Sequence, residues 1–176
     1  MDPALSEFDS FVRTRTPALL RSAYLLTGDQ HLAEDLVQSA LARAHRSWNR
    51  LHDSGNAEAY TRKIMYHLQV SWWRRRRVPE SMTGELPEPR GGDSASDHAS
   101  QTTLRLTLRA ALARLSAKQR AVLVLRFFED RSEAEAAELL GVTVGTVKSQ
   151  TSKALAKLRA VAPELAELYV LEGSAR

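Results

Sequence analysis

Apolar positions in this chain recur every three to four residues, the period of a helix with one buried face. In the first third, Phe8, Phe11, Val12, Leu19, Leu20, Ala23 and Leu26 follow that spacing, and Pro17 marks a kink or a fresh start. Thr27-Gly28-Asp29 reads as a stop followed by a new beginning, with Asp29 placed to cap a second helix. Leu32, Leu36, Val37, Ala40, Leu41 and Ala44 line one face of that helix. After the turn cluster Asp53-Ser54-Gly55-Asn56, a long helix over about 57–77 carries Tyr60, Ile64, Leu68 and Trp72 in one stripe, with Val70 and Trp73 as additions.

Residues 79–101 break the pattern. They hold three prolines, three glycines and few apolar residues, which marks a linker between two halves. From about Thr102 the helical period returns: Leu104, Leu108, Ala111, Leu112 and Leu115 share a face. Ser116-Ala117-Lys118-Gln119 and Ser132-Glu133-Ala134-Glu135 are capping-box strings, each opening a further helix, the first running through Phe128. Gly141 stands where a left-handed residue ends a helix, and Thr143 can cap the last one, which runs to about Val161 before Pro163. No strand signal of useful length interrupts this. The fold class is therefore all-α, with two small helical domains joined by a flexible linker: residues 5–77, a linker 78–101, residues 102–163 and a tail 164–176 whose Leu165, Leu168, Tyr169 and Leu171 could pack back.

Composition narrows the chemistry. A hydrophobic fraction of 43% and a charged fraction of 26% fit a soluble folded chain. The absence of cysteine removes disulfides, thiolate zinc sites and thiol nucleophiles, and suits the cytoplasm. The start, Met1-Asp2-Pro3-Ala4-Leu5-Ser6-Glu7, is acidic rather than signal-like, and no apolar run approaches the ~20 residues of a membrane span, so no membrane partner is expected. Phosphate loops, His-Glu-x-x-His strings and nucleophile elbows are missing. Glu34 and Asp35, adjacent on a helix, diverge, so no catalytic residue, metal or cofactor is expected.

Charge is distributed in blocks. Between Ala59 and Pro79 six Arg or Lys (Arg62, Lys63, Arg74, Arg75, Arg76, Arg77) occur with no acid, and between Val144 and Arg159 four (Lys148, Lys153, Lys157, Arg159) occur with no acid. The stretch 78–101 has five acids and one base. Acid-free cationic faces favour polyanions, although a solvated helix face has the same composition. The second block lies on a helix-turn-helix pattern. Ala136, Ala137 and Leu140 form a support, Gly141 the turn, and Val144, Val147, Ala154, Leu155 and Leu158 the packed side of the next helix. Lys148, Ser149, Ser152, Lys153 and Lys157 remain on the outer side, a set suited to the major groove; an ordinary helical hairpin is the competing reading. In the first block, Trp72-Trp73-Arg74-Arg75-Arg76-Arg77 sets rings beside cations, with Arg62, Lys63, Tyr66, His67 and Ser71 upstream as polar readers. Trp72 falls on the apolar stripe and is assigned to the core.

Together these pieces resemble the sigma factors of bacterial RNA polymerase, in particular the extracytoplasmic-function (ECF) group and its actinobacterial SigE-type members, over about residues 5–77 and 104–162. The strings Tyr24-Leu25-Leu26-Thr27-Gly28-Asp29, Ala33 to Leu41 and Val144-Gly145-Thr146-Val147-Lys148-Ser149 carry the likeness. The resemblance implies roles. Asp35 and Gln38, with Leu36 and Arg43 nearby, would meet the clamp helices of core RNA polymerase, whose flap is a second contact. The loop 51–57 and the face of Arg62, Lys63, His67, Ser71, Arg74 and Arg75 would bind the downstream promoter element and hold a flipped base. Lys148, Ser149, Ser152, Lys153 and Lys157 would read the upstream element. It implies promoter DNA as a partner and allows an anti-sigma factor. Ser39 and Gln150 stand where many such proteins have Glu and Arg, so no promoter preference can be copied. Two promoter elements two duplex turns apart lie ~70 Å apart, and the linker can extend to about 80 Å. The rival readings are a regulator that shares only the helix-turn-helix, an enzyme, and a helical adaptor that binds no DNA.

Overall fold

A computed structural model describes residues 3–51, 56–76 and 96–165, with side chains for 6–51, 56–72 and 103–165. Among the described residues the chain is helical, with no strand. The helices are α1 (Pro3–Thr27), α2 (Gln30–Arg46), α3 (Trp48–Leu51), α4 (Ala57–Arg76), α5 (Ser96–Ala113), α6 (Ala117–Leu123), α7 (Glu133–Leu140) and α8 (Val144–Val161), with a π-helical turn, Val124–Phe128, directly after α6.

Local chemistry places most of the boundaries. The Asp29 carboxylate accepts from the Leu32 amide, and the Ser116 and Ser132 hydroxyls accept from the amides of Gln119 and Glu135 in closed capping boxes. Gly141 ends α7 at φ 65°, ψ 37°, a left-handed conformation that costs glycine little. Thr143 then caps α8 through the Thr146 amide.

Three boundaries differ from the sequence expectation. Helix α1 runs through Pro17 without a new start. Its leading half is held by aromatic packing, with Phe8 and Phe11 centred 5.0 and 5.2 Å from Trp48, so tertiary contacts outweigh the lost helical hydrogen bond. The helix opened by Ser116 widens into the π-helical turn after Leu123 instead of continuing regularly through Phe128. Helix α5 begins at Ser96, inside the stretch assigned to the linker. Residue 77, the remainder of the linker, 78–95, and the tail from 166 to 176 lie outside the described residues, while Leu165 is buried against Ala111 and Ala162.

Helices α1, α2 and α4 form one bundle around Leu19, Ala23, Leu26, Leu36, Val37, Ala40 and Met65. The C-terminal helices do not stand apart from it. Ala121, Val122, Val124, Leu125, Ala136, Ala137 and Val147 belong to the same apolar cluster, so one continuous core joins the two halves. Helix α4 lies in the middle, with α1 and α2 on one side and α6 and α7 on the other.

That position explains its pattern. The anticipated stripe Tyr60, Ile64 and Trp72 is only half-buried, and Leu68 alone of the four is deeply covered. The fully enclosed residues are Thr61, Met65, Tyr66 and Gln69, joined by Arg62 at 7% exposure. A helix packed on two sides needs no single apolar stripe.

Candidate nucleic-acid interface

The two cationic faces foreseen from sequence have different fates. On α8, the buried residues are Val147, which clusters with Ala136 and Ala137 of α7, and Ala154, which packs with Leu112, Leu115 and Leu123. The small residues Ala136 and Ala137 let the axes of α7 and α8 approach closely. Lys148, Ser149, Ser152, Lys153 and Lys157 are all exposed on the outer side. Glu133 lies beside them, its carboxylate 3.7 Å from the Lys148 ammonium in a solvent-exposed pair. Val144, expected to pack inward, is 40% exposed, because it is the first residue of α8 and projects past the end of α7.

On α4, Arg62 is enclosed while Lys63 stays exposed. The Arg62 guanidinium donates from Nε and Nη2 to Glu58 Oε1 at 3.2 and 3.1 Å, and from Nη1 to Glu129 Oε1 at 2.6 Å. Glu129 comes from the C-terminal half, immediately after the π-helical turn. Its Oε1 also accepts from Tyr66 Oη at 2.8 Å and from Ser22 Oγ at 2.7 Å. Three donors from α1 and α4 thus converge on one oxygen of a side chain that is 6% exposed. The second oxygen, Oε2, faces the Arg131 Nε at 4.0 Å. Burial, and then the adjacent Glu129 charge, push the Tyr66 phenol well above its ordinary range, so it remains a donor.

A second polar junction pins the same interface. Arg120 of α6 is 1% exposed and donates from Nη1 to the Leu26 carbonyl at the end of α1 (2.6 Å) and from Nε to the Leu112 carbonyl near the end of α5 (2.9 Å). Gln69 of α4 donates to the same Leu26 carbonyl at 3.3 Å. A cation at two helix C-termini is favourably placed against their dipoles. Burial nonetheless lowers the Arg120 pKa to about 10.

Of the downstream-element residues, Lys63 and His67 lie on the strip of α4 that stays exposed, Ser71 is half-buried and Arg62 is enclosed. Tyr66, read as a polar contact along the helix, is fully buried. His67 Cε1 comes 3.6 Å from where a Cβ on Gly141 would sit, so the helix-turn-helix turn rests beside it. The side chains of Arg74 and Arg75, and residues 52–55 of the loop 51–57, lie outside the described residues. Of the polymerase-facing set, Asp35, Gln38 and Arg43 are exposed on α2, whereas Leu36 is fully buried in the core and presents nothing outward. Sequence reasoning missed Glu129, Arg120, Ser22 and Gln69, because each finds its partner in the other half of the chain or in another helix.

Among the described residues, no helix is long and apolar enough to cross a membrane, and no group of three or more His, Cys, Asp or Glu is placed to hold a metal ion.

Comparison with known proteins agrees with this geometry. Residues 11–78 match the family described as Sigma-70 region 2, and residues 105–158 match Sigma-70, region 4. The chain is 44% identical over 153 residues to the RNA polymerase sigma-E factor of Streptomyces coelicolor, covering 87% of this chain and 84% of that protein. It is 32% identical over 148 residues to the ECF RNA polymerase sigma factor SigL of Mycobacterium tuberculosis, covering 84% of each. Among solved structures, the sigma factor RpoE of Bartonella quintana, determined in complex with the anti-sigma factor NepR, aligns with a TM-score of 0.61 at 26% identity over 88% of this chain and 96% of that one. The chain belongs to the sigma-70 family of RNA polymerase sigma factors, in its ECF group.

Proposed function

We propose that this sigma factor joins core RNA polymerase through α2, reads an upstream promoter element with α8, and reads and helps open a downstream element with the face of α4. The observation that carries the reading is the outer face of α8. Five short polar or cationic side chains stand exposed behind a glycine turn, and the helix itself contributes no acid. Such a face fits a major groove, where Lys and Ser reach phosphates and base edges.

Asp35, Gln38 and Arg43 form the exposed polar side of α2 and are the proposed contacts to the clamp helices of the polymerase's largest subunit. Strand opening needs no nucleotide hydrolysis in this scheme: unstacking a base costs a few kcal/mol, and a pocket for the flipped base on α4 and its preceding loop offsets it. Residues 5–77 and 102–163 are the working units, bridged by the acidic segment between them. Because α5 already starts at Ser96, the extended reach of that segment falls to roughly 70 Å, which leaves the bridge nearly taut across two duplex turns. An anti-sigma factor is a further proposed partner, supported by the related RpoE having been solved with one.

Run-off transcription with purified core polymerase on a library of genomic fragments tests the reading. Lys148→Ala with Lys153→Ala should lower promoter-specific transcripts by roughly tenfold or more while leaving association with core unchanged, since each lost phosphate or base contact is worth ~1 kcal/mol or more. Asp35→Ala with Gln38→Ala should weaken association with core itself. If the wild-type chain neither binds core nor changes initiation, the assignment of function is wrong; if both double variants transcribe like wild type, the residue roles are.

A further inference from the structure

We propose that Glu129 is an internal stand-in for a DNA phosphate: it occupies the α4 cation Arg62 and keeps the free sigma factor in a closed, DNA-refractory state. The proposal rests on the function given above, which makes the α4 face a DNA-binding surface.

The geometry resembles anion recognition. One carboxylate oxygen accepts from a guanidinium at 2.6 Å and from two hydroxyls at 2.7 and 2.8 Å, the kind of donor set a phosphate oxygen would receive. The chain is shaped to deliver that carboxylate. The π-helical turn Val124–Phe128 widens the end of α6, and the Glu129 amide donates to the Val124 carbonyl. Asp130 then adopts φ 52°, a left-handed conformation that is uncommon for a residue other than glycine. Arg131 turns back, donating its amide to the Leu125 carbonyl. This sharp exit drives Glu129 off the axis of α6 and into α1 and α4. π-helical turns and left-handed non-glycine residues are both concentrated at functional sites.

Two neighbouring features make the contact a lock rather than a chance ion pair. The same interface buries Arg120 on the Leu26 carbonyl, and it shares the apolar core through Ala121, Val122, Leu125 and Ala137. It also sets Gly141, the turn of the DNA-reading motif, against His67. While the halves are closed, duplex or single-stranded DNA cannot reach Arg62. Opening exchanges Glu129 for a phosphate at Arg62 and leaves α8 as exposed as before, so the gate acts on the downstream element alone.

The test uses the full chain. The protein has no cysteine, so Ala59→Cys on α4 and Ala160→Cys on α8, both at exposed positions, give two unique sites for a donor–acceptor dye pair. Glu129→Gln keeps the side-chain shape and removes the charge. It should lower energy transfer and raise the affinity of the free chain for a single-stranded downstream-element oligonucleotide about tenfold, as expected where a closed form outweighs the open one by that factor. Circular dichroism checks that helicity is retained. If Glu129→Gln has lost helicity, Ser22→Ala, which removes one donor and leaves Arg62 in place, must still shift transfer and affinity the same way by a smaller amount. Unchanged transfer and affinity in whichever variant is folded overturns the lock, while the function survives if the wild-type chain still drives transcription with core. Conversely, a wild-type chain that ignores core but responds to Glu129→Gln would keep the lock and sink the function.

Discussion

Helices α8 and α4 both carry acid-free cationic segments, yet Lys148, Lys153 and Lys157 of α8 are open to solvent whereas Arg62 of α4 is enclosed. Both lack acids over the segments that matter, 144–159 and 59–79. The difference lies in what the rest of the chain brings to them. Lys148 of α8 meets Glu133 across an exposed 3.7 Å pair that solvent screens. The Arg62 of α4 meets Glu58 from its own helix and Glu129 from the other half, both at hydrogen-bonding distance, with Glu129 nearly sealed from water. An acid-free stretch of sequence is therefore no measure of an acid-free surface. In this closed arrangement Arg62, the first cation of the longer basic block, is unavailable to a polyanion.

The comparison is broken most severely at Arg120. Replacing it with Met keeps an unbranched side chain of similar reach but withdraws the donors held by the Leu26 and Leu112 carbonyls, leaving buried acceptors short of partners. Each buried acceptor left without a partner costs about 1–3 kcal/mol. Arg120→Met should lower the thermal midpoint sharply and, in whatever fraction stays folded, loosen α6 from the ends of α1 and α5. If the midpoint moves by no more than a surface substitution would move it, the junction at Leu26 contributes little, and the apolar cluster holds the halves together unaided.

The parts of this structure that were legible in the sequence are the short-range ones. Caps at Asp29, Ser116, Ser132 and Thr143 bond to amides three residues ahead, and Gly141 answers a purely local demand for a left-handed backbone. Val147 and Ala137 were readable as packing because a helix-turn-helix closes over a few residues. What could not be read is everything that depends on the two halves meeting. Arg62 and Glu129 are 67 positions apart, and Arg120 and Leu26 are 94. Nothing local distinguishes Tyr66 as a buried donor from Tyr66 as an exposed reader. The π-helical turn has no sequence signature either, so the residue it delivers, Glu129, looked like any surface acid beside Asp130 and Arg131.

Alkaline titration sharpens the comparison from the α4 side. The Tyr66 phenol is held above its ordinary range by burial and by Glu129, so the closed form keeps its proton after an exposed phenol would have lost it. A raised pKa contributes stability that is complete below about pH 10 and declines above it, by up to ~1.4 kcal/mol per pH unit, until the native group ionises. Arg120 runs the other way: with its pKa lowered to about 10, the cost of burying its charge is relieved as pH climbs from there towards its ordinary value. Tyr66→Phe removes the first effect and leaves the second. The two effects oppose each other above pH 10 in the wild type, so energy transfer between labelled α4 and α8 should rise with pH in Tyr66→Phe relative to the wild type, the gap widening from pH 10 upward. Parallel curves would show that Tyr66 is not coupled to closure.

The smallest change is the most discriminating, because it makes one chemical substitution on each face. Glu133→Gln neutralises the exposed acid next to Lys148, just as Glu129→Gln neutralises the buried acid next to Arg62. Glu133 also sits in the first turn of α7, where a negative charge is mildly favoured, so its loss should cost stability no more than about 0.5 kcal/mol. Freeing Lys148 should strengthen duplex binding by the upstream motif by no more than about threefold at low ionic strength, and the gain should fade by 0.15 M salt as the Debye length drops to ~8 Å. The buried acid should behave differently, because its release depends on moving the two halves apart, and salt barely screens a group sealed from water. If the two Glu→Gln substitutions give gains of equal size and equal salt dependence, then Glu129 is only another surface acid, and the asymmetry between α4 and α8 is one of position and not of gating.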